Sequence, residues 1–86
     1  HWGSLDRLRA LGDVTVVEER YVNDGTIWTS AGVSAGIDLM LAFIASFAGE
    51  EAAGTVQFAA EYYPSGKAYA DFHHSAKAPA YLRRMS

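Results

Sequence analysis

From Leu39 to Ala48 the chain runs Leu-Met-Leu-Ala-Phe-Ile-Ala-Ser-Phe-Ala without one charged residue. Small residues and glycines precede it, from Thr29 through Gly32 and Gly36 to Asp38, and Gly49 follows it. That composition predicts a strand leading into a helix that is apolar on every side, and a helix apolar all round is buried all round. The whole chain has 86 residues, enough for one small domain that buries roughly two-thirds of its unfolded surface. Covering such a helix asks for more structure than the remaining residues supply. The chain is therefore expected to be part of a larger α/β domain.

The flanking segments support an α/β reading. Ser4 is a good helix cap, Leu5, Leu8 and Leu11 follow at helical spacing, and Gly12 offers a left-handed stop. Val14 to Val22 is rich in β-branched residues and partly alternating, which predicts a strand. Asn23-Asp24-Gly25 predicts a tight hairpin turning on Asp-Gly, with Thr26 to Ser30 as the return strand. The apolar helix follows Val33, with Ser34 as its expected cap and Asp38 in its first turn. Glu50 and Glu51 open a third helix, where negative charge suits the helix dipole. Its apolar stripe is Ala52, Ala53, Val56, Ala59, Ala60 and Tyr63, and Pro64-Ser65-Gly66 breaks it. Two strands make a sheet that is marginal in water. The element order is that of the end of a doubly wound sheet whose central parallel strands lie elsewhere.

Composition excludes several functions. A net charge of −3 gives no basic footprint for nucleic acid. With no Cys, the chain has no disulfide, thiolate metal site or thiol nucleophile, and a reducing cytoplasm is the expected location. His1-Trp2-Gly3-Ser4 has neither the basic head nor the apolar core of a signal peptide. The uncharged run is far short of the roughly 20 residues that span a bilayer. The chain does not open on Met, and its N-terminus is expected to arise from cleavage, processing or the choice of expressed segment.

At Val22-Asn23-Asp24-Gly25-Thr26-Ile27-Trp28-Thr29-Ser30-Ala31-Gly32-Val33-Ser34-Ala35-Gly36-Ile37-Asp38 the chain resembles the DJ-1/PfpI family of class I glutamine amidotransferase-like proteins. Ala48-Gly49-Glu50-Glu51-Ala52-Ala53 is similar to the family's next helix start. Ala60-Glu61-Tyr62-Tyr63-Pro64 looks most like the isonitrile hydratase branch. His1-Trp2, followed by a leucine helix, resembles the family's Thr-His-Trp step after the strand that leaves the active site. The resemblance spans residues 1–64 and leaves 65–86 as a tail, expected to dock on a partner chain.

The resemblance implies the C-terminal part of a flavodoxin-like doubly wound sandwich, usually dimeric, completed by another polypeptide segment. It also implies a reactive cysteine on an earlier strand-to-helix elbow, with an acidic partner earlier still. This chain holds neither, so the nucleophile is expected on a missing N-terminal segment or a second chain. The implied chemistry is addition of water, or transfer, at a small electrophilic carbon through a thiolate, with no cofactor. The competing expectation is a ligand-sensing domain without turnover, as in transcription regulators, although no DNA-binding helical module is seen.

His1 matches the family histidine near the reactive thiol, where an imidazole stabilises a thiolate or shuttles a proton; the plain alternative is a frayed terminal residue. Gly32, Val33, Ser34, Gly36 and Ile37 are the expected substrate-binding residues. Small residues let a backbone approach a ligand, while close packing against the sheet is their simpler role. Asp38 is read as stabilising the helix start, with general base as the minority reading. Ser30 and Ser34 lack a nucleophile elbow. His73-His74 lacks the carboxylate or thiol that would complete a metal site, so no metal is expected. Trp2 and Trp28 are expected to be core or interface anchors.

Overall fold

The computed structural model describes residues 1–64, 67, 69–72 and 74–83. It is a mixed helix-and-strand chain. A 3-10 turn at Trp2–Ser4 leads into the short helix α1, Leu5–Arg9. Ser4 takes the N-cap position without a side-chain cap bond. Gly12, at φ 84°, turns the chain after the helix, as a left-handed stop should.

The hairpin is shorter than the sequence suggests. Strand β1 is Tyr21–Asp24 and β2 is Ile27–Ser30, paired antiparallel with Tyr21 opposite Ser30 and Asp24 opposite Ile27. The two-residue loop is therefore Gly25-Thr26, not Asp24-Gly25. Gly25 alone has positive φ, 63°, which is the glycine-first pattern of a type II′ turn. The long strand expected from Val14 to Val22 forms only at its end. Beyond the ladder the Ala31 N–H reaches the Arg20 carbonyl at 2.8 Å. Residues 14–19 have no second strand to pair with among the described residues.

Helix α2 runs Val33–Ala48 and α3 runs Glu50–Ala60, and they pack against each other. The cap of α2 is Gly32, with no side-chain cap bond, so Ser34 lies inside the helix and not at its cap. Asp38 accordingly sits in the second turn. A single residue, Gly49, joins the helices at φ 95° and ψ 161°, a region essentially confined to glycine. Helix α3 ends earlier than Pro64: Glu61 is left-handed at φ 53° and Tyr62 N–H bonds the Gln57 carbonyl at 3.1 Å. This six-to-one bond closes the helix in a Schellman-type cap. The stripe expected along α3 is little buried; Ala52 and Ala53 are half-covered, while Val56, Ala59, Ala60 and Tyr63 are exposed.

Helix α2 lies against both strands and α3. Trp28 meets Phe43 edge-on at 5.6 Å and is half-buried there. The buried apolar residues, among those described, are Ala35, Leu39, Ala78, Pro79 and Tyr81. Much of α2 is uncovered: Val33 is 94% exposed and Phe47 68%. The dimensions agree. The radius of gyration is 14.6 Å, against about 12 Å for a compact domain of this length. The accessible surface is 6729 Å², against about 5,000 Å² for a folded monomer of this mass.

Part of the tail lies against its own chain. Helix α4, Ala80–Arg83, carries Tyr81, which is only 6% exposed, and the Ala80 N–H donates to Glu18 Oε1 at 2.7 Å. Tyr69 remains uncovered.

Candidate functional site

The N-cap of α2 opens onto a cavity of about 120 Å³. His1, Trp2, Arg20, Gly32, Ser34, Ala35, Tyr81 and Leu82 line it. Each arrives for a local reason. The imidazole of His1 caps the first turn, its Nδ1 accepting the Gly3 N–H at 3.0 Å. In the neutral ring the proton then sits on Nε2. His1 also lies against Trp2, with ring centroids 5.3 Å apart. Gly32 and Ser34 come with the start of α2, and Tyr81 with the returning tail.

Arg20 is the organising group. Its Nη2 lies 2.6 Å and its Nε 3.1 Å from Asp38 Oδ2. The same Nη2 donates to Ser34 Oγ at 3.4 Å. From the end of α3, the Tyr62 hydroxyl donates to Asp38 Oδ1 at 2.9 Å and lies 3.5 Å from the Ser34 carbonyl. One carboxylate thus ties the segment before β1, the start of α2 and the end of α3. Both oxygens of Asp38 are occupied, so it is not a free base, and it lies in the second turn of α2 and not the first. Burial pushes the Tyr62 phenol above the usual tyrosine value; its bond to Asp38 and that carboxylate's charge act the same way, and Arg20 opposes them. Burial also raises Tyr81, aided by the charge of Glu18 and opposed by Arg20.

Of the residues expected from sequence, the cavity collects His1, Gly32 and Ser34. Val33 points to solvent and Ile37 is exposed. Gly36 is close to β2 instead: a Cβ there would meet Ser30 Oγ at 3.6 Å, an ordinary contact. Arg20, Tyr62 and Tyr81 were missed as site residues. Arg20 reads as one more residue in a β-rich run, and nothing in its spacing from Asp38 or Tyr62 announces the contact. Ser34 Oγ meets a guanidinium and no base, so it is not an activated nucleophile. The cavity wall carries one guanidinium, already paired with Asp38, and the chain supplies it no thiol.

A wider, open groove of about 810 Å³ runs between α1 and the tail. It holds exposed ion pairs, Arg9 with Asp6 at 3.2 Å and with Glu18 at 3.1 Å, and none of the expected site residues. His73 lies outside the described residues. His74 Nδ1 is 3.2 Å from the Asp71 carboxylate, and its N–H caps the same group at 3.0 Å. Among the described residues no set of three or more His, Asp or Glu is placed to hold a metal. None of the described helices is long and apolar enough to cross a membrane.

Comparison with known proteins gives a partial match. Over 65 residues, 76% of the chain, it is 38% identical to the isonitrile hydratase of Pseudomonas putida. The chain spans 28% of that protein's length. No family model matches, and no solved structure matches.

Proposed function

We propose that this chain is one portion of an isonitrile hydratase-like enzyme of the DJ-1/PfpI type, with residues 1–64 forming the C-terminal part of a flavodoxin-like domain. The observation that carries the reading is the 38% identity over 65 residues to an isonitrile hydratase, confined to 28% of that enzyme. The cysteine-free composition fits a portion that flanks a nucleophile and does not contain it. The completed protein would dimerise and work in the reducing cytoplasm, where a catalytic thiol survives.

In this reading a thiolate from the remaining polypeptide adds to the isonitrile carbon, which takes up a proton and becomes a thioimidate. Water then adds at that carbon and the thiol leaves, giving the N-substituted formamide. His1 stands beside the thiol and stabilises its anion or carries the proton. Gly32 and Ser34 line the substrate cavity, and Arg20 adds a fixed positive charge to its wall. Gly36, Val33 and Ile37 face the remaining polypeptide.

The test is to express the complete reading frame, supply an alkyl isonitrile and follow formamide production by NMR. Turnover that one equivalent of a thiol alkylator abolishes is expected. A folded, thiol-bearing protein that binds the isonitrile and never releases formamide would replace the enzyme with a ligand sensor. Within an active protein, His1→Gln should move the pH profile of thiol alkylation to higher pH, because loss of the imidazole destabilises the thiolate. An unchanged profile removes His1 from the site.

A further inference from the structure

The cavity at the start of α2 has a neighbour. A second cavity, of about 200 Å³, lies between α1 and the hairpin, and Leu5, Leu8, Val17 and Val22 give it an apolar side. Among the described residues, His1 and Tyr81 alone line both cavities. Their side chains therefore stand between the two. Tyr81 is the seated member of this partition. It is 6% exposed, and Ala78 and Pro79 just before it are buried as well. The Ala80 N–H donates to one oxygen of Glu18 at 2.7 Å, while Arg9 holds the other oxygen at 3.1 Å. The buried members of the first cavity's lining are Tyr81 and Ala35, so its inner side is closed.

We propose that Tyr81 is a specificity-determining residue that confines the site to isonitriles bearing a small alkyl group. The proposal deepens the functional reading and rests on it for the chemistry of the substrate. Attack at the terminal isonitrile carbon leaves the N-alkyl group as the part the cavity must hold. An apolar cavity of about 150 Å³ takes one benzene ring. The cavity at the start of α2, at about 120 Å³, is smaller than that. It fits an ethyl or isopropyl group and excludes a cyclohexyl ring. The space such a ring needs lies on the far side of Tyr81, where the second cavity presents leucine and valine side chains. A smaller residue at position 81 would join the two spaces. Tyr81 comes from beyond residues 1–64, so a segment to which the family resemblance assigns nothing supplies this wall.

The test uses the protein from the complete reading frame and two substrates, ethyl and cyclohexyl isonitrile. Turnover is compared as kcat/KM. Binding of the two products, N-ethylformamide and N-cyclohexylformamide, is measured separately by calorimetry, which needs no turnover. The wild type should prefer the ethyl compounds by at least about tenfold in both measurements, the scale on which a pocket rejects excess methylenes. Tyr81→Ala should reduce that preference at least about tenfold, chiefly by gain on the cyclohexyl compounds. Tyr81→Leu, which keeps an apolar side chain in the seat, should move it the same way and guards against misfolding of the alanine variant. Tyr81→Phe keeps the ring and should leave the preference unchanged. A wild type that treats both sizes alike would overturn the proposal. So would a preference unmoved in both folded truncations, or a protein that binds neither formamide. Size-selective binding that Tyr81→Ala relaxes, with no turnover of either isonitrile, would count against the enzyme reading alone.

Discussion

At the scale of single residues, the polar tie around Asp38 decides how the ends of three segments meet. Tyr62→Phe removes one bond to a carboxylate and leaves the ring in place. A bond to a charged group contributes about 1.5–3 kcal/mol when buried, and partial exposure brings the expected loss nearer 1 kcal/mol. Asp38→Asn weakens the Arg20 and Tyr62 contacts together. The double variant should therefore cost less than the two single variants added, a coupling that denaturant titration of the complete protein will measure. Strict additivity would show that the contacts act independently. The raised phenols give this tie a pH signature. Tyr62 and Tyr81 keep their protons in the folded chain at pH values where the unfolded chain, at the ordinary tyrosine value of about 10, has begun to lose them. Their contribution is complete below that value and is lost as pH rises through the folded values. Stability should fall above about pH 10, and Tyr62→Phe with Tyr81→Phe should flatten that fall. An identical alkaline profile in the double variant would sink the assignment. Little of this was legible beforehand. Asp38 and Ser34 stood out for their place near a helix start, yet their partners lie 14 to 28 residues away, and no local pattern encodes such pairings.

At the scale of elements, glycine separates two effects that share one substitution. Gly49 joins α2 to α3 with φ 95° and ψ 161°, a conformation that a side chain makes costly by about 1–3 kcal/mol. Gly54 lies inside α3 with nothing near where a Cβ would stand. Alanine there should stabilise the helix by up to about 1 kcal/mol, through propensity and a stiffer unfolded chain. Gly49→Ala and Gly54→Ala should thus move the melting temperature in opposite directions. A shift of the same sign in both would contradict the interhelical geometry. Both helices were readable from sequence because glycine and glutamate mark the joint. Their ends were less so. Glu61 adopts the left-handed cap although Pro64-Ser65-Gly66 is the stronger breaker, because the Schellman bonds satisfy carbonyls that the proline cannot. The strand from Val14 failed for a complementary reason. β-propensity favours an extended chain, whereas a strand needs a ladder partner, and β2 ends at Ser30.

At the scale of the whole molecule, the uncharged helix carried the sequence argument correctly in one respect: among the described residues much of it stays uncovered. The α/β character was legible from the same run and the hairpin. The place of the tail was not, since Tyr81 reaches the cavity lined by Arg20 and Ser34 from a segment whose sequence has no clear period. The physical consequence concerns cooperativity. Of the five buried apolar residues among those described two are alanines, which bring little desolvation, and no described element lies over Val33, Met40 or Phe47 of α2. Secondary structure can persist in such a chain while side-chain packing stays loose. The chain alone should keep helical far-UV dichroism. Its near-UV signal from Trp2 and Trp28 should be weak, it should bind a hydrophobic dye, and it should melt over a broad range. In the protein from the complete reading frame the same two tryptophans should gain a sharp near-UV signal, lose dye binding and unfold in one step. A sharp, monomeric and dye-free transition of the isolated chain would show that 86 residues suffice, and would remove the structural ground for assigning α2 to a larger core.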